Sequence, residues 1–76
     1  MDVVNVSVNT EAAQSMEVYD VTGRKVASEI FPESQNGLNK KTGIIHTSYF
    51  ANGLYFYTIF DKNKVFLNSG KFSIVK

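Results

Sequence analysis

The chain has 76 residues, of which 43% are hydrophobic and 20% charged, a composition typical of one small folded domain. It has no cysteine and a single histidine, His46, which excludes disulfides, thiolate–metal sites, cysteine nucleophiles and sites that need two imidazoles. The net charge of +1 gives no field that attracts nucleic acid, and no apolar run is long enough for a transmembrane segment. Composition therefore disfavours an enzyme and favours a binding, structural or targeting module.

The first part of the chain alternates polar and apolar residues with period two, which is typical of β-strands. Valines at alternate positions in Val4–Val8 predict one strand, and Met16–Tyr19 predicts a second. Between them, Glu11–Gln14 follows Thr10, a residue type that caps helices, but the segment is too short for more than a turn. We therefore expect a loop there.

Asp20–Gly23 predicts a hairpin turn, because aspartate bonds the backbone two residues on and glycine accepts the left-handed conformation. The return strand is expected from Arg24 to about Phe31, with Val26 and Ile30 on one face. Pro32 ends it, since proline cannot donate to the ladder.

The second part of the chain predicts three more strands, at Gly43–Ser48, Leu54–Phe60 and Val65–Lys76. The polar segment 33–42 predicts a surface loop, with room for one short edge strand around Leu38. Asp61–Lys64 predicts a tight hairpin, and Ser69–Gly70 predicts a bend or bulge in the last strand. Six or seven strands with closely spaced turns indicate an all-β sandwich or barrel.

The parity of the strand 54–60 predicts its inward face. Tyr55, Tyr57 and Ile59 share one side, which we expect to be buried because Thr58 lies on the other. That assignment leaves Phe56 and Phe60 undetermined.

The segment Phe50–Tyr55 is arranged like the tyrosine corner of immunoglobulin-like sandwiches. An apolar residue is followed by a turn at Gly53 and by a tyrosine that opens a strand. The Tyr55 hydroxyl is then expected to bond the backbone a few residues upstream. The predicted fold class is an immunoglobulin-like antiparallel β-sandwich of about seven strands.

No residue constellation supports catalysis, metal binding or a cofactor. His46 lies mid-strand without a second histidine or a nearby acid, the carboxylates are scattered singly, and no serine lies in a nucleophile elbow. One alternative to a targeting role is a non-catalytic module that binds carbohydrate or protein through exposed Tyr49, Phe56 and Phe60.

Three segments, in order, resemble the type A C-terminal sorting domains of the type IX (Por) secretion system. Tyr19–Val26 resembles that family's YDxxGRxV signature, Ser48–Tyr55 its small–L–x–x–G–x–Y element, and Lys71–Lys76 its terminal K-[FV]-x-[IV]-x-K strand. The resemblance covers about residues 3 to 76. The Asn-Pro stretch that usually opens these domains is missing before Val3.

The resemblance implies a secretion signal at the end of a larger secreted protein. Its partners would be the covalently linked N-terminal cargo, the type IX translocon and a sortase-like peptidase that removes the domain. Its location would be the periplasm in transit and then the cell surface or medium. We expect residues 1–76 to be a single domain excised from that protein and trimmed at its front. An incomplete first strand leaves open a strand-exchanged homodimer.

We assign two roles to the residues of the three segments as hypotheses. Recognition is expected on the last strand and the hairpin, at Arg24, Lys25, Lys71, Phe72, Ile74, Val75 and Lys76. Maintenance of the fold is expected from Tyr19, Asp20, Gly23, Gly53 and Tyr55.

Overall fold

The structure, a computed structural model, describes residues 2–10, 12–32 and 41–76. Within these ranges it contains six β-strands and no helix: β1 Val3–Val8, β2 Ser15–Tyr19, β3 Lys25–Ile30, β4 Lys41–His46, β5 Gly53–Phe60 and β6 Phe66–Ile74. β4 begins two residues earlier than predicted, inside the segment expected to be a loop. The edge strand expected around Leu38 lies outside the described residues.

The strands form two antiparallel sheets. One has four strands in the order β3-β2-β5-β6, and the other pairs β1 with β4. One buried cluster joins them, with Met16, Val18 and Ile59 from the larger sheet and Val6 and Ile45 from the smaller. The all-β sandwich is confirmed, with six strands in the described residues where about seven were predicted.

The inward face predicted for β5 is confirmed. Tyr55 and Ile59 are buried and Tyr57 is half-buried, whereas Phe56 is exposed and lies on the opposite, outer face of the sheet. The Tyr55 ring stacks on that of Phe72 in β6, with 5.7 Å between the ring centroids. This aromatic pair therefore packs beside a core whose largest fully buried side chains are aliphatic.

The simple alternation predicted along β3 is wrong. The register shifts at Val18 and Tyr19, which pair with Ala27 and Lys25, so Val26 is the extra residue of a bulge. Val26 packs against the core, whereas Ile30 is 66% exposed on the outer face of the sheet. A bulge changes which side chains face inward. The alternation of residues therefore predicts the inward face only on one side of the bulge.

The bulge predicted at Ser69–Gly70 is also wrong. Gly70 lies in a regular part of the ladder opposite Tyr57, and the register of β6 shifts instead at Leu67. A Cβ atom on Gly70 would clash with the side chain of Tyr57. Gly70 therefore serves the close approach of an aromatic ring rather than a bend.

The two hairpins of the larger sheet are closed by turns of the same design. In each, an aspartate Oδ1 accepts the backbone N–H groups two and four residues later, in Asp20–Arg24 and in Asp61–Val65. The fourth residue has positive φ in both, +87° at Gly23 and +65° at Lys64. Both turns occur where the sequence predicts them.

Candidate functional site

The hairpin between β2 and β3 is organised by the carboxylate of Asp20. Its Oδ1 accepts hydrogen bonds from the Thr22 N–H at 3.0 Å, the Thr22 hydroxyl at 2.6 Å and the Arg24 N–H at 3.1 Å. The Gly23 N–H donates to the Asp20 carbonyl at 3.0 Å. One side chain therefore fixes the conformation of the turn that presents Arg24.

Two exposed basic residues follow this turn. Arg24 Nε lies 3.4 Å from Asp20 Oδ2, yet the arginine side chain remains 78% exposed. Lys25 pairs with Tyr19 on the outer face of the sheet. The Tyr19 hydroxyl donates to Glu17 Oε1, and this hydrogen bond raises the pKa of Tyr19 above its usual value.

The hydrogen bonds to Asp20 make the turn sensitive to acid. The bond from the Thr22 hydroxyl, followed by those from the Arg24 and Thr22 N–H groups and the Arg24 charge, outweighs desolvation and lowers the pKa of Asp20. A lowered folded-state pKa means that the ionised form stabilises the fold above the unfolded pKa. That stabilisation is lost as the pH falls through the folded-state pKa.

We therefore expect Asp20→Asn to lower the melting temperature of a cargo fusion at pH 7, and the difference from the unmodified protein to shrink below pH 3.8. Thermal unfolding at several pH values measures this. Asp2→Asn, at an exposed position outside the turn, is the matched control. A difference that stays constant from neutral to acid pH would contradict the role of the Asp20 charge.

The tyrosine corner predicted at Tyr55 is present. The Tyr55 hydroxyl donates to the carbonyl of Ala51 at 2.7 Å, and the Phe50 ring lies 4.8 Å from the Tyr55 ring. Gly53 has a φ of +152°, a conformation that residues with a Cβ rarely adopt. Together these contacts fix the path of the loop between β4 and β5.

This loop and the hairpin enclose a groove of about 330 Å³. Asp20, Arg24 and Val26 line one side, and Tyr49–Ala51 with Tyr55 line the other. We call it the motif groove, because one side belongs to the segment Tyr19–Val26 and the other to the segment Ser48–Tyr55. These are the first and second of the three segments that resemble the family motifs, which we call the matched segments. The sequence does not reveal this groove, since residues about 25 positions apart carry no pattern that shows them to be neighbours.

The last segment of the chain reaches the same loop. Lys76 Nζ donates to the Ser48 carbonyl at 2.9 Å, and the Lys76 N–H donates to Asn52 Oδ1 at 2.9 Å. All three matched segments therefore meet at the loop Ser48–Asn52.

The other proposed recognition residues, in β6 and just after it, differ in exposure. Lys71 and Val75 are exposed, and Lys71 pairs with Phe56 on the outer face. Phe72 is half-buried against Tyr55, and Ile74 is buried. The fold leaves the first pair open to solvent and packs the second pair in or against its core.

Four side chains lie side by side across the outer face of the larger sheet, with Lys25 at one end of the row and Lys71 at the other. The row runs from Lys25 through Tyr19 and Phe56 to Lys71, outside the motif groove. The structure thus brings Arg24 and Lys76 to one loop and leaves these two lysines on the neighbouring face.

The described part of the chain contains no cluster of three or more histidine, cysteine or acidic residues that could hold a metal ion. His46 is exposed and pairs with Val3 at the edge of the smaller sheet. In the same ranges, no helix is long and apolar enough to cross a membrane. Of the aromatic residues in the alternative platform, Phe56 and Phe60 lie on the outer face, whereas Tyr49 lines the motif groove.

Comparison with known proteins agrees with the three matched segments. Residues 1–74 match the family model described as the secretion system C-terminal sorting domain. No curated protein and no solved structure matches the chain. The family is one of sorting signals rather than known catalytic domains, and nothing in the comparisons favours a carbohydrate- or protein-binding module. The chain belongs to the C-terminal sorting domains and carries a sorting signal of the type IX secretion system.

Proposed function

We propose that the type IX translocon recognises this sorting signal at the end of the sandwich where the three matched segments meet. The observation that supports this most directly is the loop Ser48–Asn52, which borders the hairpin across the motif groove and binds Lys76 through two hydrogen bonds. A receptor at this end would contact residues from all three segments at once.

Charge is the property that this end offers to a partner. Arg24 and Lys25 project from the hairpin, and Lys76 lies beside the loop. Such exposed cations mainly raise the association rate and set the relative orientation of the two partners, because they complement an acidic surface. Phe72 and Ile74 would contribute indirectly, by holding β6 in place.

The free edge of β6 offers a second mode of contact. Within the described residues β6 pairs with β5 alone, so one side of the strand is open to another chain. An extended receptor segment could add to such an edge through main-chain hydrogen bonds. Lys71 lies on this strand and would orient the incoming segment.

The test is an export assay on a fluorescent cargo fused in front of residues 1–76, in a type IX-competent bacterium and in its translocon-null counterpart. We expect Arg24→Glu, Lys71→Glu and Lys76→Glu each to reduce surface reporter several-fold, because charge reversal replaces attraction with repulsion. Lys62→Glu is the matched control, since exposed Lys62 lies in the hairpin at the opposite end of the sandwich.

Equal export of all four variants would contradict recognition at this end. Cell-surface reporter in the translocon-null strain would instead show that export does not depend on the type IX system. Melting curves of the purified fusions show whether each variant keeps its fold.

The same fusions test the remaining steps. We propose that the cargo crosses the periplasm with the domain attached and that a sortase-like peptidase removes the domain at the surface, as the family resemblance implies. Loss of the domain's mass from surface cargo is the expected result, and cargo that keeps the domain would contradict it.

A strand-exchanged homodimer would appear as a doubled mass of the purified fusion in light scattering.

A further inference from the structure

We infer that the motif groove binds a peptide segment in which an acidic residue lies beside an apolar one. The inference rests on the function proposed above and gives its receptor a chemistry. It is carried by an apolar floor, an exposed arginine at the rim and walls that are held rigid before any partner arrives.

The floor of the groove is apolar. Val26 and Phe50 are half-buried and Tyr55 is buried, with its hydroxyl already donated to Ala51. Tyr49 stands fully exposed at the mouth. An apolar side chain that enters here would cover aromatic surface now in contact with water, and removal of that surface from water favours binding.

The rim supplies the positive charge. In the described residues, the ion pair of Arg24 uses Nε against Asp20, which leaves the two terminal nitrogens to meet a carboxylate. The Asp20 carboxylate is occupied by the Thr22 and Arg24 donors and orients the arginine.

Comparison of the two hairpins shows that the turn itself does not require an arginine. Val65 holds the position in the second turn that Arg24 holds in the first, and it makes the same backbone contacts to its aspartate. The backbone contacts of the turn therefore do not depend on the Arg24 side chain, and its terminal nitrogens are available to a partner. Arg24→Val is consequently a variant that the turn geometry accepts.

Both walls of the groove are fixed in advance. Asp20 holds the hairpin, and the loop is held by the Tyr55–Ala51 hydrogen bond and by the contacts of Lys76. A preformed site lowers the conformational entropy lost on binding. A short receptor segment can then bind without reordering the domain.

The first experiment is photo-crosslinking in a type IX-competent strain that exports the full cargo fusion. Tyr49 is replaced by p-benzoylphenylalanine, and exposed Phe66, at the far end of the sheet, is replaced in the control. We expect a cross-link from position 49 but not from position 66, to a receptor peptide in which mass spectrometry finds an Asp or Glu next to an apolar residue. Arg24→Val should weaken that cross-link several-fold.

The second experiment measures binding of that mapped peptide, and of its Asp→Asn or Glu→Gln form, to the purified cargo fusion. We expect about tenfold weaker binding when either the arginine or the acid is neutralised, and little further loss when both are, since the two act as a pair. Additive losses, a mapped segment without an acid, or no cross-link from position 49 would each overturn the inference.

The outcomes separate the inference from the function on which it rests. If Arg24→Glu abolishes export but position 49 gives no cross-link, the proposed end is used and the groove is not its binding site. If position 49 cross-links to an acidic segment while Arg24→Glu, Lys71→Glu and Lys76→Glu all export normally, the groove binds a partner that export does not need, and the proposed function is wrong.

Discussion

Deletion of Lys71–Lys76 is expected to abolish export and also to unfold the domain. These residues pair with the first half of β5, from Gly53 to Phe56, and bring Phe72 and Ile74 into the core. Full burial of such a side chain contributes roughly 1.5–3 kcal/mol, and Ile74 is buried whereas Phe72 is half-buried. The net stability of a domain of this length is only about 4–11 kcal/mol. Loss of the whole segment therefore removes a large part of it.

The measurement combines export with circular dichroism of the purified cargo fusion. Lys71→Ala and Lys76→Ala are the matched variants, because both side chains are exposed and their removal leaves the core intact. We expect the deletion to lose both fold and export, and the point variants to keep the fold. A deletion that exported normally would show that the last strand carries neither function.

Ile59→Ala is expected to destabilise the domain by about 2–5 kcal/mol. Ile59 has no exposed surface and lies at the centre of the larger sheet, where it pairs with Met16 on one side and Asn68 on the other. Truncation leaves a cavity between the sheets, and a small core has few side chains that can move to fill it. The midpoint of urea unfolding of the cargo fusion measures the loss.

Ile44→Ala is the matched control for this prediction. Ile44 is also an isoleucine within a strand, but its side chain is 44% exposed on the outer face of the smaller sheet. We expect it to cost less than about 1 kcal/mol, as surface substitutions usually do. Equal shifts of the midpoint in the two variants would contradict the assignment of Ile59 to the core.

Much of the candidate site could be predicted locally. The turn at Asp20–Gly23 and the hydrogen bond of Tyr55 depend on residues within four positions of each other. Side-chain types at such short spacing determine which backbone groups they can reach, so the sequence is sufficient evidence for them. Recognition at Arg24 and Lys71 was predicted from the motifs, and both side chains are exposed in the structure.

The motif groove could not be predicted in this way. It requires the hairpin and the loop Tyr49–Ala51 to face each other, and that depends on how β2 and β5 pair. Strand pairing is set by the burial of whole faces rather than by any short pattern. The same limit explains why the contacts of Lys76 with Ser48 and Asn52 were not anticipated.

The sequence alone determined the strand content, the two aspartate turns, the inward face of β5 and the family of this protein. Tertiary structure decided the two bulges, the position of Gly70 under the Tyr57 ring and the meeting of the three segments at one end. The division has one physical cause. The alternation of apolar residues, the turn chemistry and the order of the motifs are properties of residues near each other in the sequence. Strand register and ring packing depend on contacts between distant segments, which form only when the two sheets pack around a common core.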